Sequence, residues 1–105
     1  PKVRDAQQTA VERVTYSRTD DNAHLNNTQY ADIILDNLPF SATVERRLKK
    51  LVINYHSEAK MGEELAILCK ELGESDGIAP GTVGYYVTGR KDDGKKCFEA
   101  LACFE

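Results

Sequence analysis

Three polar side chains that can take part in proton transfer recur at every second position of one short stretch: Asp20, Asn22 and His24. In extended backbone, alternate side chains point to the same side. A locally extended stretch would therefore present a carboxylate, an amide and an imidazole together, a set that can activate a water molecule and stabilise an oxyanion. The same residue types also favour turns and helix caps, so the spacing alone leaves both interpretations open.

The elements around this stretch follow from residue type and periodicity. Residues 10–16 alternate and contain β-branched and aromatic side chains, which predicts a strand. Residues 1–9 are polar without a clear period and are interpreted as a frayed lead-in. Residues 17–27 form a polar loop that contains the three candidate side chains.

A helix is predicted over residues 28–37, with Asn26 or Asn27 as its N-cap. Its side chains are apolar on most of the circumference, which is typical of a buried helix. Pro39 ends it, because the residue before a proline avoids the helical region.

The remainder of the chain predicts four strands, over residues 48–55, 64–72, 82–88 and 97–104. Asp93-Gly94 is a hairpin turn signal, and the links between these strands are short, so they should be antiparallel. A helix that is apolar almost all round needs a sheet that curls about it. That arrangement is the α+β hotdog fold, although other α+β sheets with one helix remain possible.

Length and composition restrict the function classes. The chain has 105 residues, which fits one domain, and a net charge of −3, which argues against bulk binding of nucleic acid. It has no apolar run long enough for a membrane span and no visible signal peptide. An odd count of three cysteines without a CxxC pattern suits a reducing cytoplasm and predicts no zinc site. No cofactor or metal motif is found.

Two motifs carry a specific resemblance. Residues 16–30 contain Tyr-Ser-x-x-Asp-x-Asn-x-His-x-Asn-Asn-x-x-Tyr, and residues 53–59 read Ile-Asn-Tyr-His-Ser-Glu-Ala. In this order, and joined by a matching helix, they resemble the signature of fatty acyl–acyl carrier protein thioesterases. Members of that family contain two hotdog domains in tandem, and residues 1–105 resemble the second as a single domain. The resemblance implies hydrolysis of the thioester between a fatty acyl chain and acyl carrier protein.

By the same resemblance, the catalytic positions fall on Asp20, Asn22, His24 and Glu58. Glu58 is expected to be the general base that polarises water, and His24 to donate to the thioester oxygen or the leaving thiol. Asp20 would orient His24 or share the water, and Asn22 would hold the water or the acyl oxygen. The alternatives are a solvated glutamate at a strand end and a histidine that caps the helix. The other histidine, His56, is expected to be dispensable.

The chain departs from the family pattern in three respects. Arg18 stands where members commonly have an acidic residue. Ala59 stands where a cysteine is often found, so water activated by a carboxylate is the expected route rather than a thiol nucleophile. The 105 residues resemble the second hotdog alone, which leaves three alternatives open: a homodimer or higher homo-oligomer that replaces the first hotdog, an acyl-coenzyme A thioesterase of the same kind, or a non-catalytic or truncated module that needs an upstream hotdog.

One basic cluster stands out in this acidic chain, at Arg46, Arg47, Lys49 and Lys50. Acyl carrier protein is acidic, so the cluster could steer it towards the site. The alternative is a solvated strand edge, since lysines there prevent edge-to-edge aggregation.

Overall fold

The computed structural model describes residues 5–105, which form one antiparallel sheet and one main helix. The elements in chain order are β1 (Gln7–Arg13), α1 (Asn27–Asp36), α2 (Phe40–Thr43), β2 (Leu48–Tyr55), β3 (Glu64–Leu72), β4 (Val83–Arg90) and β5 (Lys96–Phe104). Single 3₁₀ turns at Tyr16–Arg18 and Glu74–Asp76 lie in the connections.

The five strands are ordered β1-β3-β4-β5-β2, and every neighbouring pair is antiparallel. The long connection from β2 to β3 carries the chain from one edge of the sheet to β3, next to the other edge. Within residues 5–105, β2 therefore has a single neighbour, β5. The expectation of an α+β fold with one helix against an antiparallel sheet is confirmed.

Strand alternation supplies the core beneath the helix. One face of α1 packs against the residues of β5 that point to its side of the sheet, with further residues from β3 and β4. The core cluster is led by Tyr30, Ile33, Ile34, Leu65, Ile67, Val87, Phe98, Ala100, Ala102 and Phe104. The intervening residues of β5 face the opposite side of the sheet, as the two-residue period of a strand requires.

One close approach in this core requires a glycine. A Cβ atom built on Gly89 would lie 2.4 Å from Cε1 of Phe98. The two residues are partners in the β4–β5 register, so the phenyl ring lies directly over the glycine backbone. This contact lets the aromatic ring fill the space between the sheet and α1.

The predicted strands agree with the structure most closely in the middle of the chain, where residues 48–55 and 64–72 are confirmed as β2 and β3. The prediction for β1 is wrong at both ends, because the strand begins at Gln7 and ends at Arg13. Pairing with β3, in which Gln7 faces Cys69, extends the strand into polar sequence that has no pattern of its own. Residues 1–4 of the predicted lead-in lie outside the described residues.

Smaller differences affect the helices and the other strands. Helix α1 begins and ends one residue earlier than predicted, and α2 was not predicted. Strand β4 continues two residues beyond the predicted 82–88 and begins one later, and β5 begins one residue earlier than predicted. No helix within residues 5–105 is long and apolar enough to cross a membrane.

Candidate active site

The loop before α1 is a tight turn built around one carboxylate. Oδ1 of Asp20 accepts hydrogen bonds from the backbone N–H of Asn22, at 2.9 Å, and of His24, at 3.1 Å. Ala23 adopts a positive φ of 60° and donates its N–H to the carbonyl of Asp20. Of the two interpretations that the spacing left open, the turn is the one that the structure contains, because the aspartate side chain bonds to the backbone and folds the loop back on itself.

Backbone hydrogen bonds join this loop to the segment that follows β2. Leu25 donates its N–H to the carbonyl of Ala59 at 2.7 Å, and Met61 donates to the carbonyl of Ala23 at 2.8 Å. Between these two bonds the loop and the segment run antiparallel, with a bridge at His24. Because Glu58 directly precedes Ala59, this short ladder brings the two motifs of the sequence together.

The imidazole of His24 and the carboxylate of Glu58 meet at this junction. Nδ1 of His24 lies 3.3 Å from Oε2 of Glu58. The histidine side chain is 27% exposed and the glutamate side chain 72% exposed, so the carboxylate points into an opening rather than into the core. An imidazole and a carboxylate at this distance can pass a proton between them and polarise a water molecule beside them.

The opening is a pocket of about 470 Å³ between the loop, the start of α1 and the end of β2. Its lining is formed by Asp20, His24, Leu25, Asn26, Asn27, Tyr30, Tyr55, His56, Ser57 and Glu58. Three of the four predicted catalytic residues are thus brought together. The fourth, Asn22, is an exposed residue of the turn and lies outside this lining.

Helix α1 begins at the wall of the pocket. Oδ1 of Asn26 accepts the N–H of Thr28 at 3.0 Å, which makes Asn26, one of the two predicted candidates, the N-cap. Asn27 is the first helical residue and lines the pocket. Backbone N–H groups in a first helical turn lack acceptors within the helix and form the positive end of its dipole, so this terminus can stabilise negative charge that develops in the pocket.

An aromatic group forms the inner wall. The rings of Tyr30 and Tyr55 meet edge to face with centroids 5.1 Å apart, and Tyr30 meets Phe98 in the same way at 5.5 Å. Burial and the nearby thiol of Cys97 raise the pKa of Tyr30 to about 12. The phenol of Tyr30 therefore stays neutral near physiological pH and contributes shape and polarity to the wall.

The turn that carries Glu58 is attached to the start of β5. His56 donates its backbone N–H to the carbonyl of Cys97 at 2.8 Å, and Ser57 donates its hydroxyl to the carbonyl of Lys96 at 2.8 Å. Sequence reasoning left His56 and Ser57 out of the site, although their positions next to Glu58 in the second motif were a signal for it. These bonds make the start of β5 the support of the pocket's outer rim.

The basic cluster lies away from the pocket. Arg46, Arg47, Lys49 and Lys50 are exposed and lie just before β2 and on its first residues, whereas the pocket lies at the other end of this strand. Eight residues of strand span roughly 26 Å. Arg47 is paired with the carboxylate of Glu105, and the pair raises the pKa of Arg47 through a hydrogen bond and the neighbouring charge.

Nothing in the described part of the chain is arranged as a metal centre: no group of three or more His, Cys, Asp or Glu side chains there could hold an ion.

Comparison with known families decides the identity of the chain. Residues 2–100 match the family model of the acyl-ACP thioesterase C-terminal domain. The chain belongs to this family. The predicted resemblance is therefore confirmed, and the fold is that of the thioesterase hotdogs. No curated protein matches the sequence at a significant level.

Solved structures agree with this assignment. An acyl-ACP thioesterase from Bacteroides thetaiotaomicron is similar at 26% identity with a TM-score of 0.79, over 99% of this chain and 40% of that one. A candidate oleoyl thioesterase from Lactobacillus plantarum is similar at 24% identity with a TM-score of 0.84, over 99% and 39%. The acyl-ACP thioesterase domain described here thus spans about two fifths of the length of these two relatives.

A shorter structure shares the fold alone. A 1,4-dihydroxy-2-naphthoyl-CoA thioesterase from Synechocystis is 11% identical with a TM-score of 0.77, and the match covers 92% of this chain and 79% of that one.

Proposed function

We propose that this domain carries the catalytic residues for hydrolysis of a fatty acyl–acyl carrier protein thioester, which releases a free fatty acid. The observation that carries the proposal is the 3.3 Å approach of Nδ1 of His24 to Oε2 of Glu58 at the edge of a pocket beside a helix N-terminus. Membership in the acyl-ACP thioesterase family supports the reaction class.

In the proposed reaction, Glu58 acts as general base. Its carboxylate takes a proton from water as the water oxygen bonds to the thioester carbonyl carbon, and the carbonyl oxygen becomes an oxyanion. The C–S bond then breaks and the electron pair leaves on sulfur. The proton held by Glu58 passes through His24 to the leaving thiolate, so the products are a carboxylic acid and a thiol and the site is restored.

The other site residues have supporting roles in this proposal. Asp20 orients His24 through the backbone bonds that it accepts, and it presents a second carboxylate to the pocket. The positive end of the α1 dipole, at Asn27, stabilises the oxyanion, and this electrostatic effect is worth most where water is excluded. Asn22 lies on the turn outside the pocket lining. It can contact bound substrate only if another domain forms part of the site and holds the substrate over this turn.

A second hotdog domain is part of the proposal, because the site on this domain is open. The Glu58 side chain is 72% exposed, whereas a general base works best when solvent is partly excluded around it. Strand β2 has an unpaired edge within residues 5–105, and exposed apolar side chains lie on this strand and on the segment before it: Phe40, Val44, Leu48, Val52 and Tyr55. Such a group is typical of an interaction surface. We propose that an upstream hotdog or a second copy of this chain covers it.

The carrier is proposed from charge. The exposed basic cluster offers an acidic carrier protein a docking surface at the opposite end of β2 from the pocket, so the thioester arm would run along this strand to Glu58. Acyl-coenzyme A is the second candidate. Its support is the likeness in fold to a coenzyme A thioesterase, of which the match covers 79%.

Three free thiols among the described residues support a reducing compartment, for which we propose the cytoplasm.

The experiment is a panel of acyl thioesters of graded chain length, on both carrier protein and coenzyme A, against wild type and Glu58→Gln. We expect turnover by wild type and a loss of about 10²- to 10⁴-fold in Glu58→Gln, the usual contribution of a general base. The matched control is Glu64→Gln, an exposed glutamate at the start of β3, which should hydrolyse at the wild-type rate. Full activity of Glu58→Gln would remove the assignment.

The mass of the protein in solution distinguishes the remaining alternative. A monomer without turnover on any substrate would favour a module that keeps the fold and needs its partner domain. A dimer that turns over would favour the complete enzyme.

A further inference from the structure

Glu99 gathers three partners on the face of the sheet that points away from α1. Its Oε2 accepts from the hydroxyl of Tyr86 at 2.5 Å and from Nζ of Lys96 at 3.1 Å, while its Oε1 lies 2.8 Å from Nε2 of His56. The hydrogen bond from Tyr86, with the contributions of Lys96 and His56, lowers the pKa of Glu99 despite partial burial. The carboxylate is therefore a fixed anion, and His56 is the one of these three partners that lies farthest from it in sequence.

His56 connects this anion to the pocket. It directly follows β2 and stands two positions before Glu58, and its backbone N–H is bonded to the carbonyl of Cys97 on β5. Its ring then crosses to Glu99 on the same strand. The residue is thus held at two points of β5, one by main chain and one by side chain, so its orientation fixes where the chain enters the turn that carries Glu58.

Glu58 depends on this turn for its position. Within residues 5–105 its carboxylate makes one ion pair, to His24, and the side chain is mostly exposed. A carboxylate with one partner takes its direction from its backbone. A displacement of the turn would alter the distance to His24 and to the water that Glu58 activates, and small displacements of catalytic groups lower rates strongly.

We propose that His56 is a positioning residue for Glu58, held in place by Glu99 from the opposite face of the sheet. This inference rests on the proposed function of Glu58 as general base, and it differs from the sequence-based expectation that His56 is dispensable. His56 itself does not touch the reacting atoms. Its effect is exerted through the turn.

Two substitutions at His56 separate the effect of its hydrogen bond to Glu99 from the effect of the size of its side chain. His56→Phe keeps a flat ring but loses the donor, and His56→Gln keeps an N–H donor that can reach Glu99. We expect His56→Phe to lower kcat about tenfold with little change in KM, in line with the cost of a slightly misplaced catalytic group. His56→Gln should recover most of the activity.

Two matched substitutions, each of which removes one negative charge, test whether Glu99 holds His56 in place. Glu99→Gln should reduce kcat in the same way as His56→Phe. Glu105→Gln makes the same chemical change to a carboxylate that is paired with Arg47 near the other end of the β2–β5 pair. It should leave kcat unchanged, because exposed ion pairs contribute little.

A double-mutant cycle separates positioning from general damage to the fold. In a Glu58→Gln background, His56→Phe should cause no further loss of residual activity, because the group that it positions is already disabled. A further loss as large as that seen in the wild-type background would overturn the proposal. Wild-type kcat in His56→Phe would also overturn it, while Glu58→Gln in the same series reports separately on the proposed function.

Amide hydrogen exchange supplies a readout that needs no turnover. Residues 56–59 should exchange faster in His56→Phe than in wild type and at the wild-type rate in His56→Gln, with protection in β3 unchanged in both. Equal exchange of residues 56–59 in all three proteins would sink the positioning role, even if the chain proves inactive on every thioester.

Discussion

Nδ1 of His24 lies 3.3 Å from Oε2 of Glu58, although the two residues belong to separate motifs on either side of α1 and β2. The contact depends on backbone bonds rather than on the two side chains. Leu25 bonds to Ala59 and Met61 bonds to Ala23, so the loop and the segment after β2 are held in register. The imidazole and the carboxylate then meet because each projects from one side of this short ladder.

The carboxylate of Asp20 organises the loop, and this role can be tested without removing the loop itself. Asp20→Asn keeps an oxygen that can accept from the N–H groups of Asn22 and His24, so stability should stay close to wild type. Asp20→Ala removes that acceptor and should lower the free energy of unfolding by about 0.5–2 kcal/mol, as the loss of a comparable N-cap side chain does. Denaturant titration measures both.

The rates of the same two variants show whether orientation or charge matters. We expect kcat to fall less in Asp20→Asn than in Asp20→Ala, since only the latter releases the backbone of His24. Equal losses in kcat, with the stability of Asp20→Asn intact, would contradict the orienting role and favour a direct role for the charge.

Gly89 should tolerate no side chain. In Gly89→Ala the new methyl group would lie 2.4 Å from Cε1 of Phe98, and the overpacked core should lose about 1–3 kcal/mol of stability. Gly73→Ala is the control, because a Cβ there meets nothing within 4 Å. Combining Gly89→Ala with Phe98→Leu should restore part of the loss. If Gly89→Ala and Gly73→Ala melt at the same temperature, the contact is not as close as described.

Glu99 should contribute to the acid sensitivity of the fold. Its pKa is lowered in the folded state, chiefly by the hydrogen bond from Tyr86, so the unfolded chain binds a proton at a higher pH than the folded chain does. The stabilisation is therefore present above the ordinary carboxyl pKa of about 4.5 and is lost as the pH falls through the folded value.

Glu99→Gln has no charge to titrate at this position. Its stability should therefore fall less steeply than that of wild type as the pH falls below about 5, the range in which linkage to a carboxylate acts. Thermal melts across this range measure the slope. Parallel slopes for the two proteins would show that Glu99 is not held as an anion.

The basic cluster should affect binding of a carrier protein but not the chemical step. Reversing charge at Arg46 and Lys49 should raise KM for a carrier-bound substrate and leave kcat unchanged. KM for a neutral short-arm thioester should not change. Lys95→Glu, an exposed change near the turn between β4 and β5, is the control. An unchanged KM for the carrier-bound substrate in the double variant would count against docking, and the wild-type KM should rise with salt as screening increases.

The sequence predicted most of the fold where local pattern and tertiary pairing agree. Strand β2 is rich in Leu, Val and Ile, and strand β3 alternates around Leu65, Ile67 and Cys69, so their bounds could be read directly. The first three residues of β1 could not, because their polar side chains have no strand pattern and become a strand only through pairing with β3. The short helix α2 has too few residues to show a period.

The site was partly predictable for similar reasons. His24 and Glu58 were found through motif resemblance, and the structure brings them together. The sequence could not decide between a turn and an extended stretch at Asp20, because the same carboxylate can face a substrate or bond to its own backbone. The pairing of His56 with Glu99 joins residues 43 positions apart, and no local pattern reports a contact made across two neighbouring strands.

The ladder that joins Ala23 and Leu25 to Met61 and Ala59 consists of peptide groups alone. Peptide groups are common to every residue type except proline, whose nitrogen carries no hydrogen. An exposed side chain next to this frame that does not bond to its backbone, such as that of Glu58, can therefore be exchanged without altering its register. Directed libraries at His24 and Glu58, with His56 retained, should yield folded proteins at high frequency, which makes this corner of the domain a practical starting point for introducing new reactivity towards carbonyl compounds.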